Sequence, residues 1–244
     1  MVIDSYTTPG TERETALSAG ELLKAMDRAG VERAVIAPQD REIAVRHAEG
    51  NDRILKLASA SGGRFIPACS VSPWRGEEGL RLLREASRCG AKMLVLAPML
   101  QGFIPTDEIA DPLLKLAGEL RMPVYVHTGP HSAGGPTQGV LMAEAHPGTN
   151  FILGHCGSTD HAWDMPVILQ RNRLPNVWYE ASLVRPWAVP GYLKAAGSSR
   201  IIFGTAMPRN DMEFELAQLR RLLPEEEHPD VYGGNLARLL GEGA

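Results

Sequence analysis

Residues 123–129 read PVYVHTG. Val124, Tyr125 and Val126 are apolar on consecutive positions, so this run has no wet face. A strand covered on both sides, as in a parallel sheet, has this pattern. Seven other runs read as strands: VID (2–4), RAVIAP (33–38), RFIPACSV (64–71), AKMLVLAP (91–98), NFILGHCG (150–157), NVWYEAS (176–182) and RIIFGTA (200–206). Amphipathic stretches lie between them. In SAGELLKAMDRAG, Ser18 reads as an N-cap, Glu21 completes a capping box and Gly30 closes the helix. RGEEGLRLLREASRCG carries a stripe at Leu80 and Leu83, and TDEIADPLLKLAGELRM one at Leu113, Leu114, Leu116 and Leu120. DMEFELAQLRRLLPEEE is a further helix, stopped by Pro224. Strand and helix alternate about eight times, which predicts an α/β fold of the (β/α)8 barrel class. An open doubly wound sheet is the alternative, but no GxGxxG follows a strand. Asp230 to Leu240 reads as a short C-terminal helix, and residues 1–244 as one domain without repeat or linker.

The bulk numbers exclude several classes of function. The 244 residues are enough for a full core without disulfide or metal staples. Lys and Arg total 25 against 29 Asp and Glu, a net charge of −4, and no basic patch points to nucleic acid. The three cysteines, Cys69, Cys89 and Cys156, are far apart and form no CxxC, which fits free thiols in a reducing, cytoplasmic setting. No signal peptide is read at the N-terminus. No apolar stretch approaches the roughly 20 residues that span a bilayer, so no membrane partner is expected.

In a (β/α)8 barrel the chemistry sits where the strands end. The first run leads into Asp4, Tyr6 and Thr8, the second into Asp40 and the third into Trp74. The fifth ends in His127 with His131 beyond, and the sixth in His155 and Cys156 with Asp160 and His161 in the loop. The seventh ends in Glu180 and Ser182, then Arg185, and the eighth in Thr205, Ala206, Met207, Pro208 and Arg209. An imidazole near neutrality suits proton transfer, so His127 and His155 at neighbouring strand ends read as an acid–base pair. Tyr6 is a candidate acid or hydrogen-bond donor. Glu180 and Ser182 alternate, so they point the same way, and an inward Glu180 needs a partner such as Arg185 or Arg209. Arg209 has the planar fork that grips a carboxylate. Trp74, Trp163 and Trp187 follow strands and are candidates for an apolar wall. Asp40 also reads as a cap for the next helix, and Cys156 as an unactivated thiol.

PVYVHTG, FILGHCG, RIIFGTAMP and the terminal YGGNLARLLG together resemble the amidohydrolase-2 branch of the amidohydrolase superfamily, from Ile3 to Leu240. That resemblance implies a (β/α)8 barrel and a metal-dependent hydrolase of small carboxylates and lactones, or a non-oxidative decarboxylase of small aromatic or unsaturated acids. It also implies that dimers are common. The family's opening Asp-x-His-x-His is departed from here, because Tyr6 and Thr8 stand where its two metal-binding histidines would be. Its strand-eight aspartate is replaced by Ala206, and Val95 lies near the place of the bridging lysine. Of the ligand set His127 remains, and His155 matches the histidine that assists catalysis or completes the site. A catalytic zinc ordinarily takes about three protein ligands plus water.

Three readings follow. One is a hydrolase or lyase with a metal-poor site, in which His127, His155 and Tyr6 are catalytic and Asp4, Thr8, Trp74, Glu180 and Arg209 contact a small carboxylate or aromatic substrate. No cofactor is expected in that case. The second is a rebuilt site holding one divalent metal, zinc or manganese, on His127 and His155 with a loop residue or Asp4. The third is an inactive binding or scaffolding protein. A homodimer remains open.

Overall fold

The computed structural model describes residues 1–129, 134–157, 165–171 and 173–242. Its strands are β1 (Ile3–Thr7), β2 (Gly10–Thr11), β3 (Ala16–Leu17), β4 (Arg33–Ile36), β5 (Phe65–Ser70), β6 (Met93–Leu96), β7 (Val124–His127), β8 (Phe151–Gly154), β9 (Val177–Glu180) and β10 (Ile201–Ile202). Eight of them form one parallel sheet in the order β1-β4-β5-β6-β7-β8-β9-β10. Backbone bonds bring its two edges together: Ser5 N–H to the Phe203 carbonyl at 3.2 Å, Ala206 N–H to Tyr6 at 3.1 Å and Thr8 N–H to Met207 at 2.9 Å. The expected (β/α)8 barrel is therefore present.

The helices are α1 (Ala19–Ala29), α2 (Asp40–Ala44), α3 (His47–Ser59), α4 (Gly76–Arg88), α5 (Pro98–Gln101), α6 (Asp111–Glu119), α7 (Pro136–Ala145), α8 (Met165–Arg171), α9 (Val189–Ala196), α10 (Met212–Leu222) and α11 (Asn235–Leu239). Helix α1 begins and ends as the sequence predicts. Glu21 N–H donates to Ser18 Oγ at 3.2 Å, Ser18 N–H donates back to Glu21 Oε2 at 2.8 Å, and Gly30 adopts a left-handed φ of 72°. Reciprocal capping of this kind is worth about 1 kcal/mol. The terminal turn into α11 is anchored by Asn235, whose Nδ2 donates to the Ser198 and Ile201 carbonyls, both at 2.8 Å.

Strand parity divides the core. Leu94 and Leu96, Val124 and Val126, Phe151 and Leu153, and Ile201 and Phe203 pack outward against the helices. Met93 and Val95, Tyr125, Ile152 and Ile202 pack inside the barrel. Both layers are dry, which is why these strands read as unbroken apolar runs.

Two expectations at the sheet edges are corrected. The first strand runs on past Asp4 to Thr7, because the Thr7 hydroxyl donates to the Val35 carbonyl at 2.9 Å and extends its hold on β4. The eighth ladder is shorter than the run 200–206. Beyond Ile202 the backbone bonds elsewhere: Phe203 N–H donates to the Val231 carbonyl at 2.9 Å, and Thr205 N–H to the Asp4 carboxylate at 3.1 Å. The small antiparallel hairpin of β2 and β3 was not expected, since two-residue strands leave no periodic signal.

Candidate active site

The candidate site grows from the inward parity of β7, β8 and β9 at their C-terminal ends. Tyr125 and His127 are two apart on β7 and face the barrel axis together. Glu180 and Ser182 do the same on and just after β9, and His155 follows β8. The Tyr125 ring lies across β8 where Gly154 leaves space, since a Cβ there would fall 2.3 Å from a ring carbon. Gly204 makes the equivalent opening for Glu180, whose Oε1 would lie 2.1 Å from a Cβ at that position.

These side chains join into one continuous line. Tyr6 Oη lies 2.8 Å from His127 Nε2, and His127 Nδ1 lies 3.1 Å from His155 Nε2. His155 Nδ1 is 2.8 Å from Ser182 Oγ, whose hydroxyl donates to Glu180 Oε2 at 2.9 Å. The Tyr6 ring stacks on Tyr125, with centroids 4.6 Å apart and planes 11° from parallel, and meets His127 edge-on. Tyr6 and His155 are buried, while His127 is half-buried. Proton transfer needs such heavy-atom separations of about 2.6–3.2 Å.

Burial sets the electrostatics. It holds the His127 imidazole well below its ordinary pKa, and neighbouring His155 and Arg209 lower it further. His155 is lowered by burial too, against the opposing pull of Glu180. Both rings are therefore neutral at pH 7. Burial likewise pushes the phenols of Tyr6 and Tyr125 upward, so both keep their hydroxyl protons. Three neighbouring strand ends are held in left-handed backbone, with φ of 63° at His155, 42° at Cys156, 59° at Leu183 and 56° at Ala206. Such residues cost about 1–3 kcal/mol each, and they cluster where a site fixes its side chains.

Glu180 has no exposed surface, and its partners are not the arginines expected. Oε1 accepts from Ser182 N–H at 2.7 Å, and Oε2 accepts from His155 N–H and Tyr125 Oη, both at 2.8 Å, besides Ser182 Oγ. Arg209 instead pairs with Asp40, and that pair lies near enough to act on Tyr6, His127 and His155 electrostatically. Glu180 thus sits beneath the histidines, away from where a substrate would touch it.

Asp4 is equally enclosed. Its carboxylate accepts from Thr205 Oγ1 at 2.5 Å and from the Thr205 and Tyr6 N–H groups at 3.1 Å each, so it joins the barrel edges and offers no free oxygen to a ligand. Burial raises its pKa to about 7, against the lowering effect of those hydrogen bonds. Thr8 is half-buried at the rim, its N–H bonded to Met207. Trp74 is 62% exposed, with its indole N–H donating to the Gln101 carbonyl at 3.0 Å, and it stands outside the histidine cluster. Cys156 is buried and its thiol pKa is pushed up, as an unactivated thiol requires. His131, Asp160, His161 and Trp163 lie outside the described residues. Tyr125 was missed by sequence reasoning. Its place two residues before His127 in PVYVHTG was the available signal.

The donor set among the described residues does not match a catalytic metal. Among the described residues no three His, Cys, Asp or Glu side chains gather as a metal site. His127 has both ring nitrogens engaged, one by the Tyr6 hydroxyl and one by His155. A phenol kept protonated by burial is a poor ligand, and Ala206 supplies no donor atom.

Comparison with known proteins agrees with this architecture. The family model described as Amidohydrolase matches residues 10–241. A search among curated proteins gives no match. Among solved structures, 5-carboxyvanillate decarboxylase from Sphingomonas paucimobilis superposes with a TM-score of 0.80 at 16% identity, covering 98% of each chain. A dihydroxybenzoic acid decarboxylase from Polaromonas sp. JS666, solved with bound manganese and 2-nitroresorcinol, gives 0.78 at 15% identity, covering 98% of this chain and 96% of that one. The 4-oxalomesaconate hydratase of Rhodopseudomonas palustris gives 0.72 at 17%, covering 99% and 96%. At these identities the likeness speaks for the fold.

Proposed function

The chain belongs to the amidohydrolase family, and from that premise we propose that it is a hydrolase or lyase of a small carboxylated, aromatic or unsaturated compound, working by proton transfer at an atypical, metal-poor site. His127, His155 and Tyr6 move the proton. Arg209, at the exposed end of the eighth strand, exchanges Asp40 for the substrate carboxylate, a contact its planar fork can make in bidentate form. The decarboxylases and the hydratase that share the fold act on small acids, which supports this substrate class. The reading takes residues 1–244 as one functional unit in the cytoplasm, with no cofactor and no nucleic-acid or membrane partner.

One observation carries the reading. The Tyr6 hydroxyl occupies His127 Nε2 at 2.8 Å, where a metal would need a free lone pair, and it joins that nitrogen to an unbroken hydrogen-bonded line. The test combines metal analysis with turnover. Protein purified without a histidine tag or chelator should hold well under one equivalent of zinc or manganese, and incubation with either should not raise it. Turnover across a panel of small aromatic and unsaturated carboxylates and lactones should fall about 10²–10⁴-fold in His127→Ala and in His155→Ala. One equivalent of metal, lost in His127→Ala, would replace this proposal with a rebuilt metal site. Full turnover in both variants would remove the histidines from the chemistry.

A further inference from the structure

The hydrogen-bonded line has a direction, and the direction follows from its inner end. Two backbone N–H groups, which can only donate, point at Glu180: Ser182 N–H at Oε1 and His155 N–H at Oε2. Both of its oxygens are thus occupied as acceptors. The Ser182 hydroxyl therefore gives its proton to Glu180, at 2.9 Å, and can only accept from the other side. His155 Nδ1, 2.8 Å away, must carry the proton that Ser182 Oγ receives. A neutral imidazole has one N–H, so His155 Nε2 is a lone pair. His127 Nδ1, 3.1 Å from it, must then be the donor, which makes His127 Nε2 a lone pair in turn. The Tyr6 hydroxyl, 2.8 Å from that nitrogen, donates inward as well. Every proton in the line points toward Glu180.

We propose that Glu180 and Ser182 are positioning residues that fix this polarity, so that the site rests as a proton acceptor and its reaction opens by removing a proton from water or from an acidic group of the substrate. This rests on the proton-transfer reading above and narrows it. A proton arriving at Tyr6 Oη bonds to that oxygen as the phenol's own proton passes to His127 Nε2. The His127 Nδ1 proton passes to His155 Nε2, the His155 Nδ1 proton to Ser182 Oγ, and the Ser182 proton to Glu180. Each intermediate group gains one proton and loses one, and Glu180 ends as the neutral acid. The reverse passage returns the proton to the product. A step that begins by giving a proton away does not fit, because the resting Tyr6 proton is already committed to His127. Water addition or hydrolysis fits the resting state, whereas protonation of a carbon as the first event does not.

The test is direct and needs no substrate. Full-length protein labelled with ¹⁵N in histidine is recorded by long-range ¹H–¹⁵N NMR at pH 7, with His127→Ala and His155→Ala used only for assignment. Both rings should show a protonated Nδ1 and a lone-pair Nε2. Tyr6→Phe, which removes the outermost donor, should leave both tautomers unchanged, since the polarity comes from the inner end. Glu180→Met should free the Ser182 hydroxyl to donate to His155 Nδ1, moving its proton to Nε2. An Nε2–H or doubly protonated ring in the wild type overturns the proposal. A switch of His127 in Tyr6→Phe, or unchanged tautomers in a folded Glu180→Met, overturns it equally. Should Glu180→Met not fold, the wild type and Tyr6→Phe still decide. The readout is separate from turnover. Correct tautomers with full activity in His127→Ala would end the catalytic reading and keep the polarity, while the opposite pair of results would do the reverse.

Discussion

Two carboxyl groups are sealed inside this barrel, Asp4 on β1 and Glu180 on β9, both fully buried and, among the described residues, neither paired with a lysine or arginine. Each is surrounded by hydrogen-bond donors. Asp4 takes two backbone N–H groups and the Thr205 hydroxyl, and the connection ends there, in the backbone that joins the two edges of the sheet. Glu180 takes two backbone N–H groups, the Tyr125 phenol and Ser182, and from Ser182 the connection runs outward through His155 to half-buried His127. One buried carboxyl closes a barrel; the other polarises a path toward the mouth. Burial alone therefore does not mark a functional carboxylate, whereas the length and direction of its hydrogen-bond path does.

Removing Glu180 should break this comparison most severely. Glu180→Leu would leave two backbone N–H groups and the Tyr125 hydroxyl without an acceptor, each worth about 1–3 kcal/mol when stranded in a dry interior, while Ser182 can turn its hydroxyl to His155. Allowing for relaxation, the loss in unfolding free energy should be about 3–5 kcal/mol by urea titration. A loss under 1 kcal/mol would mean that water or other groups already serve those donors.

Asp4 gives the next largest effect, and its sign is opposite to that of most carboxylates. Its folded pKa of about 7 lies above the usual value of 3.8, so between these pH values the folded state binds more protons than the unfolded one. Stability should then fall as pH rises from about 4 to about 7, by about 4 kcal/mol at most from this group. Asp4→Asn keeps the shape, and Thr205 can turn its hydroxyl to accept from the new amide. That variant should flatten the pH dependence over this window. Glu215, which burial also raises to about 7, acts in the same direction, and His127 and His155, which burial lowers, act in the opposite one. The same pH dependence in Asp4→Asn as in the wild type would contradict the account of Asp4.

What the sequence revealed, and what it hid, divides along similar lines. The barrel was legible because eight short apolar runs alternate with amphipathic ones, and consecutive Val124, Tyr125 and Val126 have no reason to exist outside a strand covered on both faces. The helix caps of α1 were legible because Ser18, Glu21 and Gly30 act within one turn of where they stand. His127, His155 and Tyr6 were found from their places at strand ends, and the structure brings them into contact. Glu180 and Ser182 were seen to share a face, but the arginine partners expected for Glu180 were wrong. Its donors come from three neighbouring strands and the turns that follow them, and which neutral groups converge on one carboxylate depends on register between strands, which local pattern does not encode. Asp4 was misplaced for the same reason: its partner Thr205 is 201 residues away. Trp74 followed a strand, as an apolar wall would, yet it lies largely in solvent.

The smallest stability effect belongs to the Asp40–Arg209 pair, and it separates the rim from the two buried carboxylates. Side-chain exposure is 30% for Asp40 and 51% for Arg209, so solvent screens their attraction. Exposed pairs of this kind contribute about 0–1 kcal/mol, and Arg209→Ala should leave the urea midpoint nearly unchanged. Its effect should appear in binding instead. If Arg209 leaves Asp40 to hold the substrate carboxylate, Arg209→Ala should raise KM for the carboxylated substrate about tenfold or more, through loss of a charge-assisted bond worth about 1.5–3 kcal/mol. Asp40→Asn should move KM the other way, because the guanidinium would no longer have to be taken from an anionic partner. A parallel fall in kcat with unchanged KM in Arg209→Ala would place the guanidinium in the chemical step, acting on the histidines it already faces rather than on the incoming acid.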